Sequence, residues 1–445
     1  MSNSWRELAG VAPPLERPPR GAAQGRVELM PVVDDVRAFD ALEHDWNALL
    51  ERCDASVFQS FEWQRTWWRH FGEGGRGARL HLVTVRGPDG LVAAAPLYVE
   101  RTRVLGVLGL RRLLFLGHLD SDYLDVLVAR GWEAECADLI AEHLSSRADL
   151  FDVAVLEETP ERSRTGRLLH DALLRRGWTA TRSVQELCPQ TALHATWDDT
   201  VAALDLRERR AVRRRLRNVA KDFRVELEVI TAGAQVEGGM AEFIEMHQER
   251  WTRDGYSGVF ADVRAAAFHR DVSERLSRRG WLYLAFLRVD GRRCAAIYGF
   301  SFGAILGAYL TGARHGADLA RYSPGRVLHT KSMQWAIASG RTLYDFMRGT
   351  ERYKYELGAV DVPNWRIVAY PRRARWTASK HLLHRMSGTV WRRVAREVYA
   401  LRATSRAGGW LSRSVLRHVQ RAAHRMLCDL RRVLRRRDRV DVEHP

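Results

Sequence analysis

Apolar residues in the first part of the chain alternate between the two-residue period of strands and the three-to-four-residue period of helices. The pattern predicts six strands, at residues 26–33, 80–86, 91–100, 113–116, 123–128 and 151–156. It predicts three helices, at residues 60–71, 132–146 and 164–176. Gly-Pro-Asp-Gly at 87–90 predicts a tight turn between the second and third strands. Strands and helices that alternate in this way indicate a mixed α/β (α+β) fold.

The second part of the chain repeats this order at an offset of about 200 residues. Apolar residues at 243–251 occupy the place of 58–67, and strands at 281–289 and 292–302 flank an Asp290-Gly291 turn. A helix at 325–339 and a strand at 342–347 follow. We interpret the repeat as two homologous modules, although chance similarity between α/β segments would give the same pattern.

An arginine-rich segment, residues 197–223, joins the two parts and is predicted to be one helix. Its arginines form a solvated helix face or, alternatively, bind a phosphorylated substrate or nucleic acid.

Residues 294–313 contain no charged side chain and are about long enough to cross a bilayer. Four glycines interrupt the stretch, and aromatic and β-branched residues fill the intervals. Two buried strands joined by a turn near 301–304 explain this composition better than a transmembrane helix.

A chain of 445 residues is too long for one ordinary core, which favours two domains with accessory segments. We predict a disordered Pro-rich leader at 1–25, two α/β domains at 26–195 and 196–371, and a basic helical tail at 372–445. Five cysteines stand singly, with no CxxC pair and no histidine cluster at metal-ligand spacing. We therefore expect reduced thiols, no metal site and a cytoplasmic protein.

The net charge of +17 belongs almost entirely to the tail. Residues 372–445 contain 20 Lys and Arg against 5 Asp and Glu, a net charge of +15, which leaves +2 for the rest. The body of the protein is therefore nearly neutral, and its composition does not indicate a nucleic-acid-binding protein.

A turn that leads into the predicted helix at 325–339 is the first candidate binding site. It contains Arg321-Tyr-Ser323-Pro-Gly325-Arg326. Unpaired N–H groups and the helix dipole favour an anion at such a turn, Gly325 lets a diphosphate approach the backbone, and Arg321 or Arg326 adds charge. A Pro-Gly pair that only starts a helix is the simpler alternative.

A polar loop after the strand at 342–347 carries three ionisable groups, Asp345, Glu351 and Lys354. Acyl transfer needs a group that takes the proton of the attacking amine or hydroxyl and a group that stabilises the oxyanion. A surface ion pair between Glu351 and Lys354 would explain two of the three without any catalysis.

These segments resemble the CelD-type family, GNAT-like proteins named for cellulose biosynthesis and related to the FemABX peptidyltransferases. The resemblance rests on Ser323-Pro-Gly, Gly340 and Tyr344-Asp-Phe…Gly349-Thr-Glu-Arg-Tyr-Lys354. The first part resembles the family at Phe58-Gln-Ser-Phe-Glu-Trp63, Ala95-Pro-Leu97 and Asp122-Tyr-Leu-Asp125, and the match spans residues 40–370.

The resemblance implies tandem GNAT folds and acyl transfer, with acyl-CoA as donor or, in the FemABX branch, aminoacyl-tRNA. In that branch an aromatic–Lys pair lies at the reaction centre, and Tyr353-Lys354 is the matching pair in this sequence. The chain lacks the coiled-coil arm that some FemABX proteins use toward tRNA, which favours acyl-CoA. If both modules face a shared cleft, the acceptor contacts seven further residues, Glu62, Trp63, Asp122, Tyr123, Arg250, Trp251 and Tyr309.

The tail shows apolar residues at three- and four-residue spacing on both sides of Gly408-Gly409, which predicts two Arg-rich amphipathic helices. Their apolar faces pack on the body of the protein or, alternatively, residues 376–440 attach it to an anionic membrane surface. Nucleic acid is the weakest alternative, because no stacking platform accompanies the charge.

Together these features predict an acyl-CoA-dependent acyltransferase that acts on a small-molecule or glycan-precursor acceptor of the cell envelope or of exopolysaccharide synthesis. The alternatives are a non-catalytic scaffold of a polysaccharide synthesis system and an aminoacyl-tRNA-dependent transferase. We expect the protein in the cytoplasm, at the inner face of the membrane if the tail binds lipid.

Overall fold

The computed structural model describes residues 26–74, 77–104, 108–314 and 316–371. The chain divides into two compact units, one of residues 1–253 and 257–381 and the other of residues 254–256 and 382–445. Only Asp254–Tyr256 of the second unit is described, so the architecture is that of the first unit. The predicted leader at 1–25 and the predicted tail at 372–445 lie outside the described residues.

Strands and helices alternate along the described chain. The strands are β1 (Glu28–Leu29), β2 (Ala78–Leu80), β3 (Val83–Gly87), β4 (Gly90–Ala95), β5 (Leu97–Val104), β6 (Leu108–Phe115), β7 (Leu127–Val128), β8 (Val153–Pro160), β9 (Thr179–Ala192), β10 (Val225–Ile230), β11 (Leu282–Val289), β12 (Arg292–Phe302), β13 (Ile305–Ala313), β14 (Leu343–Asp345) and β15 (Val360–Tyr370). The helices are α1 (Val36–Asp40), α2 (Glu43–Leu50), α3 (Phe61–Trp67), α4 (Glu133–Ser146), α5 (Arg164–Arg175), α6 (Trp197–Ala202), α7 (Leu206–Asp222), α8 (Gln235–Arg253), α9 (Val263–Arg278), α10 (Ala317–Ala320), α11 (Pro324–Ala338) and α12 (Arg352–Tyr355).

Two sheets organise these elements. The smaller one has the strand order β1-β3-β4-β7, and the larger one has the order β10-β11-β12-β13-β14-β9-β15-β8-β6-β5-β2. Each half of the chain contributes antiparallel strands, then a helix, then a strand that runs parallel to the last of those antiparallel strands. In the first half these elements are β5-β6, α4 and β8. In the second half they are β11-β12-β13, α11 and β14. This repeated order gives the protein a tandem GNAT-like α/β fold, as the sequence predicts.

The last strand, β15, joins the two halves. It pairs antiparallel with β9 along its whole length and with β8 from Asn364 onward, although both partners belong to the first half. Pro363 has no N–H to donate, and it lies in the part of β15 that pairs with β9 alone. The two halves therefore share one continuous sheet, while the domain boundary at 195/196 stays a prediction.

The sheet of the second half is buried on both faces. Seven of the eight residues of β11 are buried, and so are eight of the eleven residues of β12. Asp290 and Gly291 between them both have positive φ, 47° and 79°, which confirms the predicted Asp-Gly turn. The uncharged stretch 294–313 forms two paired strands, β12 and β13, as predicted. No helix of the described residues is long and apolar enough to cross a membrane.

Several predicted strands differ from the structure, beginning with the one at 26–33, which is reduced to β1. The strand predicted at 91–100 is split at Pro96 into β4 and β5, which belong to different sheets, because proline cannot donate a ladder hydrogen bond. The strand predicted at 123–128 is reduced to β7. The residues before β7 form a loop, in which the Tyr123 hydroxyl donates a hydrogen bond to Asp345 of the second half.

The arginine-rich segment 197–223 is two helices, α6 and α7, and not one. Thr196 caps α6, and Asp205 occupies the N-cap position of α7 with an extended ψ of 147°. Arg209 of α7 donates to the carbonyls of Ala202 and Leu204, so its guanidinium satisfies carbonyl groups that the end of α6 leaves unpaired.

Candidate active site between the two halves

The parallel strands β13 and β14 pair over only three residues each. They pair only at Ile305–Gly307 and Leu343–Asp345, and β13 then continues to Ala313 while β14 ends. Gly307 leaves room for the turn that follows β14, because a Cβ on residue 307 would lie 2.1 Å from Cε of Met347 in that turn. Openings at the carboxyl ends of parallel strands are where α/β folds bind ligands.

The turn after β14 is held by Lys354. Its Nζ donates to the carbonyls of Met347, Arg348 and Gly349 at 3.3, 2.9 and 2.9 Å, and it pairs with Glu351 at 2.9 Å. An ammonium group has three N–H donors, so these partners use all of them. Lys354 is 2% exposed, whereas the Glu351 side chain is 59% exposed. Lys354 therefore shapes the turn, and Glu351 presents a carboxylate to solvent beside it.

Gly349 is the residue that lets Glu351 fold back on the turn. Its φ is 106°, and a Cβ at this position would lie 2.7 Å from Oε2 of Glu351. Only glycine combines this backbone conformation with this close approach.

Asp345, at the end of β14, is completely buried and accepts three hydrogen bonds. The donors are the Tyr123 hydroxyl at 2.7 Å, Nε2 of Gln190 at 2.9 Å and the backbone N–H of Met347 at 2.8 Å. Burial raises the pKa of Asp345 to about 6, although the bond from Tyr123 opposes the shift. Asp345 thus joins the first half to the turn of the second half.

We call residues 117–126 of the first half the seam loop, because it lies against the second half. Besides the Tyr123 bond, Asp122 pairs with Arg348, and the Asp120 carbonyl accepts a 2.7 Å hydrogen bond from the Tyr309 hydroxyl on β13. Asp122, Tyr123 and Tyr309 are thereby brought together with Asp345, Glu351 and Lys354.

Arg348 links two buried carboxylates of the first half. It pairs with Asp122 and, at 2.9 Å, with Glu158, whose side chains are 4% and 3% exposed. Burial alone would lower the pKa of Arg348, but the two carboxylates raise it above its usual value. Burial raises the pKa of Glu158 to about 7, and Arg348 opposes that shift. Asn364 of β15 donates to Glu158 at 3.2 Å.

Three non-glycine residues around this network have left-handed backbone conformations. They are Leu119, Glu158 and Met347, with φ of 75°, 62° and 57°. Each such residue costs about 1–3 kcal/mol, and such residues cluster at functional sites.

The other predicted acceptor residues lie at different depths. Trp63 is fully buried between Phe58 and Phe268, and its indole N–H donates to Ser121, so the indole has no surface for an acceptor. Glu62 pairs with Arg279 at 3.4 Å, and Arg250 donates to Thr311 on β13 at 2.6 Å. The Trp251 ring lies edge-on to His247, and the Tyr353 ring lies 5.1 Å from the ring of His329.

The predicted donor loop opens α11. Ser323 has a φ of 53°, Pro324 occupies the first turn, and a Cβ on Gly325 would meet no atom within 4 Å. The structure therefore leaves open space at Gly325 rather than packing against it. The Arg321 guanidinium lies 4.8 Å over the Tyr322 ring.

Arg326 connects the donor loop to α12. Arg326, Arg215 and Arg352 all pair with Glu356, at 3.4, 3.8 and 3.3 Å. Three guanidinium groups share one carboxylate, which leaves positive charge beside the start of α11.

Sequence reasoning missed Arg348, Glu158, Gln190 and Asn364. Arg348 lies inside the polar loop, but arginine is so common in this chain that it gave no signal. Glu158 and Asn364 stand in strands whose pattern indicates only structure. Within the described residues, no group of three or more His, Cys, Asp or Glu could hold a metal ion.

Residues 207–355 match the sequence model of a family described as an acetyltransferase (GNAT) domain. The comparison with curated proteins finds no match. The crystal structure of FemX is similar in fold, with 12% identity and a TM-score of 0.53 over 76% of this chain and 96% of that chain. L-PGS from Bacillus licheniformis has 10% identity and a TM-score of 0.47, over 77% of this chain and 96% of that chain.

The second half of the chain therefore carries a GNAT domain, and the chain shares its fold with FemX. The finer resemblance to the CelD-type family stays a prediction.

Proposed function

We propose that the protein is a GNAT-type acyltransferase that moves an acyl group from acyl-CoA to an amine or hydroxyl of a cell-envelope or exopolysaccharide-related acceptor. The GNAT match of residues 207–355 supports the reaction class. The observation that carries the proposal is the cluster at the end of β14, because both halves place ionisable side chains there.

Glu351 is the best candidate for the group that accepts the proton of the attacking amine or hydroxyl. Its carboxylate is exposed, and Lys354 and Gly349 fix its position beside the end of β14. General bases of this kind contribute about 10²–10⁴-fold to a rate. Lys354 and Asp345 are positioning residues in this proposal, because their polar atoms are already engaged within the protein.

The donor diphosphate is proposed to lie at the start of α11. Gly325 leaves room for a ligand to reach the first N–H groups, and three arginines around Glu356 add positive charge. A helix N-terminus with this surrounding charge favours a diphosphate.

Isothermal titration calorimetry with acetyl-CoA and longer acyl-CoA thioesters tests the donor. Release of CoA from acyl-CoA in the presence of amine or hydroxyl acceptors then measures turnover and tests Glu351. We expect Glu351→Gln to retain acyl-CoA binding and to lose about 10²-fold or more in turnover. The matched control is Glu237→Gln, which changes an exposed residue of α8 and should behave like the wild type. No binding of any CoA thioester at millimolar concentration would contradict the acyl-CoA donor.

A non-catalytic scaffold is the second candidate, and one observation favours it. Lys354 and Asp345 are occupied by structural contacts, which an idle GNAT pair would also show. Full complementation of a deletion strain by the Glu351→Gln protein would support the scaffold, whereas loss of complementation with normal protein level would support the enzyme.

An aminoacyl-tRNA donor is the third candidate. The exposed Arg210, Arg214 and Arg217 of α7 form no ion pair with any described residue, and they would suit a phosphate backbone. A gel shift with tRNA that is lost on charge reversal of these three arginines would favour this donor over acyl-CoA.

A further inference from the structure

Arg250, near the end of α8, lies against the part of β13 that continues past its pairing with β14. Arg250 is half-buried, and its Nη1 donates a 2.6 Å hydrogen bond to Oγ1 of Thr311. Thr311 belongs to β13 and lies beyond Gly307, the last residue of that strand that pairs with β14. The hydrogen bond therefore holds the guanidinium group against β13.

Arg250 forms no ion pair with any described residue, unlike the two cations of the polar loop. Arg348 pairs with two buried carboxylates, and Lys354 pairs with Glu351 and uses its remaining donors on backbone carbonyls. A guanidinium group has five N–H donors, and the bond to Thr311 uses one of them. Arg250 therefore keeps its charge and most of its donors available to a ligand.

Arg250 and the proposed proton acceptor, Glu351, lie near the same aromatic ring. Burial and then the Glu351 carboxylate raise the pKa of Tyr353, and Arg250 opposes the shift. The Tyr353 ring lies 5.1 Å from the ring of His329. Burial lowers the pKa of His329 to about 3, and Lys354 and Arg250 add to the shift. Arg250 is therefore close to the polar loop as well as to β13, although it belongs to neither.

We infer that Arg250 is a catalytic residue that donates to the acyl oxygen while negative charge develops on it. The inference rests on the proposed acyl transfer, with Glu351 as the group that accepts the proton. The acceptor nitrogen or oxygen attacks the acyl carbon and gives its proton to Glu351, while an electron pair of the C=O bond moves to the oxygen. Arg250 holds that oxyanion until the pair re-forms the C=O bond and the C–S bond breaks. The CoA thiolate leaves and receives the proton from Glu351 through solvent.

A half-buried, unpaired guanidinium group suits this role for two reasons. Its charge is screened less than that of an exposed arginine, so its attraction for an oxyanion is stronger. Its position is set before the reaction, because Thr311 already holds Nη1, and little reorganisation is needed when the charge develops. Thr311 is a positioning residue in this step, since it acts only through Arg250.

Release of CoA from acyl-CoA, measured over a range of donor and acceptor concentrations, tests the role. We expect Arg250→Gln to lower kcat by about 10²-fold or more and to leave the KM of acyl-CoA nearly unchanged, because the bond forms only in the transition state. Arg250→Lys keeps the charge without the fork of donors and should lose less. Thr311→Val should lower kcat roughly fivefold, since the guanidinium group is then less well held. The matched control is Arg253→Ala, an exposed change one turn along α8, which should behave like the wild type.

Chemical rescue separates the missing group from a change in the fold. Guanidinium chloride at millimolar concentration should restore part of the turnover of Arg250→Ala, whereas sodium chloride at the same concentration should not. A loss of kcat in Arg250→Ala that added guanidinium does not reduce would overturn the catalytic role and assign Arg250 to structure alone.

The remaining outcomes distinguish this inference from the proposed function. Unchanged kcat in Arg250→Gln, with a wild type that turns over, overturns the role of Arg250 and leaves the acyltransferase intact. A higher KM with unchanged kcat also overturns it, because Arg250 would then bind the ground state and the transition state equally. Wild-type protein that binds acyl-CoA but releases no CoA with any acceptor overturns the proposed function itself, and the inference with it.

Discussion

The hydroxyl of Tyr123 donates a 2.7 Å hydrogen bond to the carboxylate of Asp345, 222 residues further along the chain. Both side chains are buried, and the bond joins the seam loop of the first half to the end of β14 in the second half. The contact holds the seam loop against the end of β14. A change in either residue should therefore affect both the stability of the protein and the geometry of the proposed site.

Removal of this hydroxyl is the first prediction. Tyr123→Phe leaves Asp345 buried with two donors in place of three, so the free energy of unfolding should fall by about 1.5–3 kcal/mol. Urea denaturation measures the change. The matched control is Tyr298→Phe, because the Tyr298 hydroxyl is buried with no hydrogen-bond partner among the described residues, and its removal should be nearly neutral. Equal losses in the two variants would contradict a specific role of the Tyr123 bond.

Arg348 is predicted to be essential for folding as well as for the site. Arg348→Ala leaves Asp122 and Glu158 buried without their cation, which should cost about 3–5 kcal/mol. The control Arg224→Ala removes the guanidinium of an ion pair whose side chains are 79% and 42% exposed, and should cost about 1 kcal/mol or less.

Chemical denaturation of both variants distinguishes these outcomes. Recovery of stability in Arg348→Ala/Glu158→Gln, relative to Arg348→Ala, is also expected, since one uncompensated charge is then removed. A stability of Arg348→Ala equal to that of Arg224→Ala would show that the buried cluster does not depend on its cation.

Local sequence patterns predicted the elements whose residues determine their own conformation. The Asp290-Gly291 turn is such a case, because both residues tolerate positive φ, and continuous apolar runs flank it in β11 and β12. The uncharged stretch 294–313 was likewise assigned correctly to two strands, since its glycines and β-branched residues do not suit a long helix.

Contacts between distant segments could not be predicted in this way. β15 contains Pro363 and pairs with strands about 180 residues earlier, so neither its existence nor its central place follows from its own residues. Arg348 and Glu158 meet only because the sheet is continuous across the halves. The residue types of the polar loop indicate a candidate site. The sequence does not show that the Lys354 side chain is buried and shapes the turn, whereas the Glu351 carboxylate is exposed to solvent.

The pH dependence of stability should contain a contribution from Asp125. Its pKa is raised from 3.8 to about 7, chiefly by burial, so the native state holds a proton between these values that the unfolded state has lost. This contribution is fully present below about pH 4 and is lost as the pH rises to about 7. Asp125→Asn cannot titrate, so the wild type should lose stability relative to the variant across this window. Unfolding curves at several pH values measure the difference, and a constant difference would contradict the raised pKa.

Gly325 offers a test that separates stability from donor binding. Gly325→Ala meets no atom within 4 Å and lies in the first turn of α11, so it should raise the free energy of unfolding by up to about 1 kcal/mol. The added methyl group should nevertheless hinder a diphosphate and weaken acyl-CoA binding. Gly238→Ala in α8 also meets open space, and it should raise stability with no effect on acyl-CoA. Unchanged acyl-CoA affinity in both variants would place the donor elsewhere.

The tail from about residue 376 is predicted to control location rather than chemistry. Residues 376–445 carry +12 of the net charge of +17, so a protein that ends at Arg375 keeps +5 and has much weaker electrostatic attraction for an anionic bilayer. The truncated protein should stay folded and keep acyl-CoA binding, but it should no longer co-sediment with anionic vesicles. Full-length protein should co-sediment at low salt and largely dissociate at about 0.5 M salt, because screening shortens the range of the attraction.

Two results would decide against this role of the tail. Aggregation of the truncated protein would mean that the apolar residues of the tail cover the body, since their removal would then expose core surface. Full-length protein that ignores vesicles but shifts RNA would assign the charge to nucleic acid, and it would strengthen the case for an aminoacyl-tRNA donor. Vesicle binding that survives 0.5 M salt would point to insertion of the apolar faces, because burial of apolar surface is not screened by ions as charge attraction is.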